Sequence, residues 1–102
     1  MKNKILEKNL NKVTKDTALV IQKNWKTGAE TAVAEVYLDK NLSLEQKIDR
    51  AFMLTNSIED AWWNNEDVDA VEKSRSTSVG DKVLINNKTF EYLISGYKEI
   101  KT

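Results

Sequence analysis

Six carboxylates crowd into one stretch of the chain, Glu59, Asp60, Glu66, Asp67, Asp69 and Glu72, around the adjacent tryptophans Trp62 and Trp63. Carboxylates gathered in this way serve as ligands for hard cations or as paired acid and base. Aligned as a calcium loop starting at Asn65, the stretch places Asp67 and Asp69 suitably. Ala70, however, stands where the sharp turn needs Gly, and Ser76 where a bidentate Glu is needed. A glycosidase-type pair needs a substrate cleft, and nothing in a chain of 102 residues implies one. What remains is an acidic, tryptophan-bearing surface. Glu59, Asp60, Glu66, Asp67, Asp69 and Trp63 are candidates for contact with a protein partner, and the carboxylates could also imitate the phosphate row of DNA.

Two further groups could do chemistry. "SRSTSVGD" sets hydroxyls at Ser74, Ser76, Thr77 and Ser78 beside Arg75 and Gly80. A phosphate loop needs several glycines so that successive N–H groups converge, and this one has a single glycine. The segment therefore reads as a polar crossing whose hydroxyls satisfy nearby backbone, with Arg75 paired to a carboxylate of the acidic run. A nucleotide or phosphate ligand held by Arg75, Ser76 and Ser78 is the alternative. At the N-terminus, Lys4, Lys8, Lys12 and Lys15 fall in one arc of a helical wheel. That stripe could bind nucleic acid electrostatically, or be the solvated side of an amphipathic helix, since no arginines or aromatics are interleaved with it.

Composition excludes much else. The chain has no Cys and no His, which removes disulfides, thiol catalysis, Cys-type metal sites and the commonest general base near neutral pH. The reading is a non-enzymatic protein with no cofactor. Formal net charge is zero but unevenly spread: residues 1–26 hold seven lysines against two acids, and residues 27–73 hold four bases against eleven acids. No apolar run is long enough for a membrane helix, and the lysine-rich start lacks the apolar segment of a signal peptide. The expectation is a cytoplasmic protein with no membrane contact.

The elements that must position these residues follow from periodicity. Leu6, Leu10, Val13, Val20 and Ile21 cluster opposite the lysines and predict an amphipathic helix over about 3–24, with "TALVIQ" open to a strand reading. A long helix of this kind could also pair with a copy of itself, giving a homo-oligomer. Gly28 reads as its stop, and "AETAVAEVYL" predicts a short second helix with Ala29, Ala32, Val33, Val36 and Tyr37 on one side. Ser43 followed by Gln46 fits a capping box and predicts a third helix from 44 to about 56. Beyond Val68 the texture changes. "KVLIN" and "KTFEYLI" flank Asn86-Asn87, a pair suited to the positive φ of a two-residue hairpin turn. Gly80-Asp81 marks a turn before the first strand, and Gly96 the end of the second. The predicted fold is α+β: about three N-terminal helices, then a small antiparallel sheet built on a β-hairpin. It forms one domain over 1–102, mainly helical over 1–60, with the hairpin in 68–100. If helical geometry persisted past residue 58, Trp62 would continue the buried face of Phe52, Thr55 and Ile58. Trp63, turned about 100° away, would be left as an exposed contact.

"LTNSI" (Leu54 to Ile58), the Trp pair, Asn64-Asn65, Val68, "RSTSVGD" (Arg75 to Asp81), Tyr92 and "SGYKEI" (Ser95 to Ile100) carry a resemblance. The chain resembles small proteins encoded by phages and other mobile elements with the pattern LTN-I…W…N…V…RS-SVGD…Y…GF-E. The resemblance covers about half the chain, and Tyr97 stands where the pattern has Phe. It implies a setting rather than a reaction: an accessory protein in a bacterial cytoplasm, acting by binding a host protein, such as a defence or regulatory factor. A nucleic-acid module using the lysine stripe, or a sponge for a phosphate ligand, are the alternative functions.

Overall fold

The structure is a computed structural model and describes residues 15–57 and 61–101. Its chain runs β1 (Asp16–Lys23), β2 (Glu30–Leu38), α1 (Leu44–Leu54), a 3-10 turn (Trp62–Asn64), β3 (Val68–Ala70), β4 (Lys82–Ile85), β5 (Lys88–Tyr92) and β6 (Tyr97–Ile100). The six strands form one sheet in the order β3-β2-β1-β4-β5-β6, and every neighbouring pair is antiparallel.

Local chemistry explains each joint. In β1, Ala18, Val20 and Gln22 are buried while Thr17, Leu19 and Ile21 face the other way, the period of two that a sheet face requires. The turn to β2 is built on Asn24, whose side-chain oxygen accepts from the N–H groups of Lys26 (2.9 Å) and Thr27 (3.2 Å). Gly28 completes it at φ +75°, where a Cβ would be strained. After β2, Ser43 caps α1: its hydroxyl accepts from Gln46 N–H and the Gln46 side chain accepts from Ser43 N–H. Between β4 and β5, Asn86 and Asn87 adopt φ 52° and 64°, the left-handed pair of a tight hairpin turn.

α1 lies over one face of the sheet, the inner face. Ile48, Ala51 and Leu54 pack there with Val20, Ala34, Val36, Val83, Ile85 and Phe90. Trp62 seals this core with no exposed surface, and its indole N–H donates to the carbonyl of Ser74 at 2.8 Å. Tyr92 stacks edge-on against Phe52, with ring centroids 4.8 Å apart, and donates its hydroxyl to Ile48 C=O at 2.7 Å. Burial holds that phenol well above its ordinary pKa. At the opposite end of α1, Lys47 reaches Asp16 at the start of β1.

The expected arrangement of about three helices and a small sheet is thus overturned. One α-helix is present among the described residues, and the region 16–38 is a long β-hairpin. The expected second helix is β2, and the C-terminal part of the expected first helix is β1. Two features disguised them. A bulge between Val20 and Ile21 shifts the β1–β2 register. In addition, β2 buries Val33, Ala34, Val36, Tyr37 and Leu38, so its apolar residues do not alternate and their spacing imitates a helical stripe. Gly28 ends a hairpin turn, not a helix. The third helix and the Asn86-Asn87 hairpin stand as expected, and "SGYKEI" adds β6. Residues 1–14, with Lys4, Lys8 and Lys12, and Ile58, Glu59 and Asp60 lie outside the described residues.

Trp62→Ala removes the largest fully buried side chain. It should lower unfolding free energy by about 3–5 kcal/mol, read as a fall in the urea midpoint, with the slope of the transition unchanged.

Candidate interaction surface

The acidic residues among those described do not converge on a site. Asp67 is paired with Lys15 at 3.1 Å, and its carbonyl accepts from Tyr37 N–H. Asp69 lies across from Glu35 in the sheet, and Glu66 is exposed on the turn before β3. Among the described residues no cluster of three or more carboxylates has metal-binding geometry. Trp63 is half-buried. Its ring meets Trp62 edge-on at 5.6 Å and packs on the core, so Trp63 is not the free ring that helical geometry predicted. The helix stops at Leu54, and the two tryptophans sit in a separate 3-10 turn.

The Arg75–Asp81 segment is a structural knot. Arg75 forks onto Asp81 with bonds of 2.6 and 2.9 Å, so its partner lies six residues ahead and not in the acidic run. The same guanidinium donates to Lys23 C=O at 2.9 Å and to the Ser78 hydroxyl at 3.3 Å. The bond to Asp81 raises the Arg75 pKa further, with burial opposing. Asp81 has no exposed side-chain surface and also accepts from the N–H groups of Lys23 and Ser78. Bidentate pairing with added N–H donors is what a desolvated carboxylate needs. The Ser76 hydroxyl accepts from Ser57 N–H. Arg75, Ser76 and Ser78, the three proposed phosphate contacts, are therefore engaged within the protein.

This knot lies at one end of the molecule, where β1 and β5 finish, β4 and β6 begin, and α1 terminates. The finish of α1 is fixed there by Thr77 N–H on Thr55 C=O (3.0 Å) and by the bond from the Thr77 to the Thr55 hydroxyl (2.8 Å). The large hydrophobic residues exposed among the described residues are Trp25, Met53, Val71, Val79 and Ile94. Trp25 is in the β1–β2 turn, Met53 in the last turn of α1, and Val71 just past β3. Val79 is in the crossing to β4, and Ile94 is in the β5–β6 turn. All five positions belong to that same end. Trp25 is 59% exposed and Ile94 94%. The Trp25 ring is held in place: Arg75 lies over it at 5.5 Å and Lys23 at 6.0 Å. Gly80, at φ +93°, leaves room for it, since a Cβ there would come within 2.7 Å of the indole.

Sequence reasoning missed Trp25, although "NWKTG" carried a signal. An Asn and a Gly bracketing Trp form a turn, and an aromatic in a turn has no core to enter. No protein-family model, no curated protein and no solved structure matches this chain.

Arg75→Ala leaves the Asp81 carboxylate buried with backbone donors alone and should cost about 1.5–3 kcal/mol. Arg75→Lys should recover only part, because an ammonium cannot make the fork. A double-mutant cycle with Asp81→Asn measures the coupling, and additive single effects would refute the knot.

Proposed function

We propose that the protein is a non-enzymatic binding protein that engages a protein partner through the Trp25 end of the sheet. The observation that carries this reading is Trp25, 59% exposed yet held in place by Arg75 and Gly80, at the end of the sheet that also bears the exposed Met53, Val71, Val79 and Ile94. Singly exposed hydrophobics are ordinary, and Val71 and Ile94 stand at opposite edges of the sheet, so the reading rests on Trp25, an exposed aromatic held in a fixed orientation. Trp is the residue most enriched among interface hot spots. Trp25 is held over Gly80 and under two cations, so little side-chain entropy is lost when a partner covers it. Lys23 and Lys26 flank the ring, which fits a partner with an apolar recess and an acidic rim. The resemblance to phage and mobile-element proteins supports a bacterial host protein as the partner and an inhibitory or redirecting effect.

The acidic middle, with Trp63, Glu66, Asp67 and Asp69, has less support as the contact, because Trp63 is packed on the core and Asp67 is paired. A phosphate ligand has less support because its three contacts are internally bonded. Nucleic-acid binding by Lys4, Lys8 and Lys12 remains an alternative, recognisable by affinity that falls steeply with salt. No helix among the described residues is long and apolar enough to cross a membrane.

Host protein captured from a bacterial lysate and then purified gives the test. Trp25→Ala should weaken its binding by about thirtyfold, the equivalent of a 2 kcal/mol hot spot. Ile94→Lys should weaken it as well, while Lys88→Ala in the opposite hairpin should not. The melting temperature of Trp25→Ala should stay close to that of the wild type. Unchanged affinity in both surface variants would remove this end as the contact.

A further inference from the structure

Among the described residues the sheet has two edge strands, β3 and β6, and they differ. β3 is short, and directly after it the N–H groups of Val71 and Glu72 both donate to Val33 C=O, so the chain curls in toward β2. β6 instead runs without a bulge along β5, from Tyr97 opposite Tyr92 to Ile100 opposite Thr89. The direction of its backbone groups follows from that register. Tyr92 faces the β4 side, since its N–H donates to Asp81 C=O and its C=O accepts from Gly80 N–H. Backbone groups alternate between the two edges of a strand. Glu91 and Thr89 therefore face β6, and their partners Lys98 and Ile100 face back. Tyr97 and Glu99 turn N–H and C=O outward, where no strand lies among the described residues. Such an edge is a template for another strand.

We infer that β6 pairs with the β6 of a second copy, antiparallel about a twofold axis at Ile100. Charge selects both the occupant and the register. An axis at Lys98 sets that lysine against its own copy, and an axis at Glu99 sets two carboxylates together; like charges directly opposite are destabilising. An axis at Tyr97 falls at the turn, where Gly96 has φ +82°. An axis at Ile100 places Glu99 opposite the partner's Lys101 and Lys101 opposite the partner's Glu99, so the edge is its own complement, as a twofold contact requires. Glu99 and Lys101 are both exposed. In the strand period both face outward, so each pair exchanges both of its N–H···O bonds, and Ile100 meets its copy as the closer, non-hydrogen-bonded pair. Ile100 is half-buried and borders a depression of about 380 Å³ with Ile21 and Ala32, so its contact with the copy is apolar. A lysine on an edge commonly blocks pairing, but the Lys98 ammonium leans back to Glu91 at 3.7 Å. The pairing uses none of the residues around Trp25 and stands apart from the contact proposed there.

Sedimentation equilibrium of the full chain tests the pairing. Two short strands form a contact of the weak class, so the average mass should climb from monomer toward dimer between about 10 µM and about 1 mM. Glu99→Lys should raise the dimer dissociation constant by about tenfold, and Lys101→Glu by a similar factor, because each turns both cross-strand pairs repulsive. Glu99→Lys combined with Lys101→Glu exchanges the charges and should restore the constant to within about threefold. Both side chains are exposed, so melting temperatures in dilute solution should match that of the wild type. A chain still monomeric at about 1 mM, or a double variant that dimerises no better than the single ones, overturns the pairing. The register has its own test, clean because the chain has no cysteine. Ile100→Cys should form a disulfide-linked dimer in air about ten times faster than Lys98→Cys, since only the first brings the two sulfurs into bonding range. Equal rates overturn the axis at Ile100.

Discussion

The fold depends on one buried carboxylate. The sheet order places β4 beside β1, so the chain leaving β3 at the sheet's edge must cross β2 and β1 before it can pair. Such a crossing carries backbone that no ladder satisfies. Asp81 gathers its far end: four donors, from Lys23, Ser78 and both arms of Arg75, converge on a side chain with no exposed surface. The same crossing is held from beneath by Gln22, whose amide donates to Arg75 C=O and whose oxygen accepts from the Ser74 hydroxyl. Thr77, bonded to Thr55, joins it to the end of α1. Strand order, helix position and the Trp62 anchor therefore meet in a single polar network. Such a network is stable only when fully satisfied, because a half-satisfied one costs more than an apolar core.

That network explains the character of the residues from Leu54 to Asp81 and of Tyr92. Asn65 donates to Leu54 C=O, Asn56 to Phe52 C=O, and Trp62 to Ser74 C=O. Arg75, Ser78, Gly80 and Asp81 form the knot, and Tyr92 bonds Asp81 through the backbone and Ile48 through its hydroxyl. Each of these residues has a structural task, so their types follow from how the crossing is built. The network does not explain the exposed Met53, Val71 and Ile94, and Trp25 rests on it from outside, against Arg75 and Gly80.

Legibility in the sequence followed the range of the interactions. The capping box at Ser43 and the turn at Asn86-Asn87 are local, and both could be read because three or four residues determine them. Trp62 was identified as buried, though through a helix that ends at Leu54. β1 and β2 were misread because what makes them strands is distant. Val20 and Val36 are fixed by pairing and by α1, and the bulge and continuous burial of β2 erased the alternation that marks a half-buried strand. Charge alone points Arg75 toward the acidic run, because the turn that brings Asp81 back to it is set by contacts distant in sequence. Trp25 is hidden for the same reason, since a tryptophan near an apparent helix end carries no local sign of standing at the tip of a hairpin.

The turns at the Trp25 end sharpen the argument about function. Turn residues are usually polar because they bond their own backbone, and here Asn24, Thr27, Ser78 and Asp81 do that work. Trp25 and Val79 between them are apolar nonetheless. In the β5–β6 turn, Leu93 N–H bonds Gly96 C=O, which leaves Ile94 almost wholly in water with no contribution to the core. The opposite end of the sheet carries Asn86, Asn87, Asp39 and Lys40 in equivalent turn positions. Folding gives no reason for isoleucine at such a position, since a polar residue would hold the turn as well and expose less apolar surface. The asymmetry between the two ends is therefore an exposure of apolar surface that the fold does not require, and it is the ground on which a partner contact is proposed there.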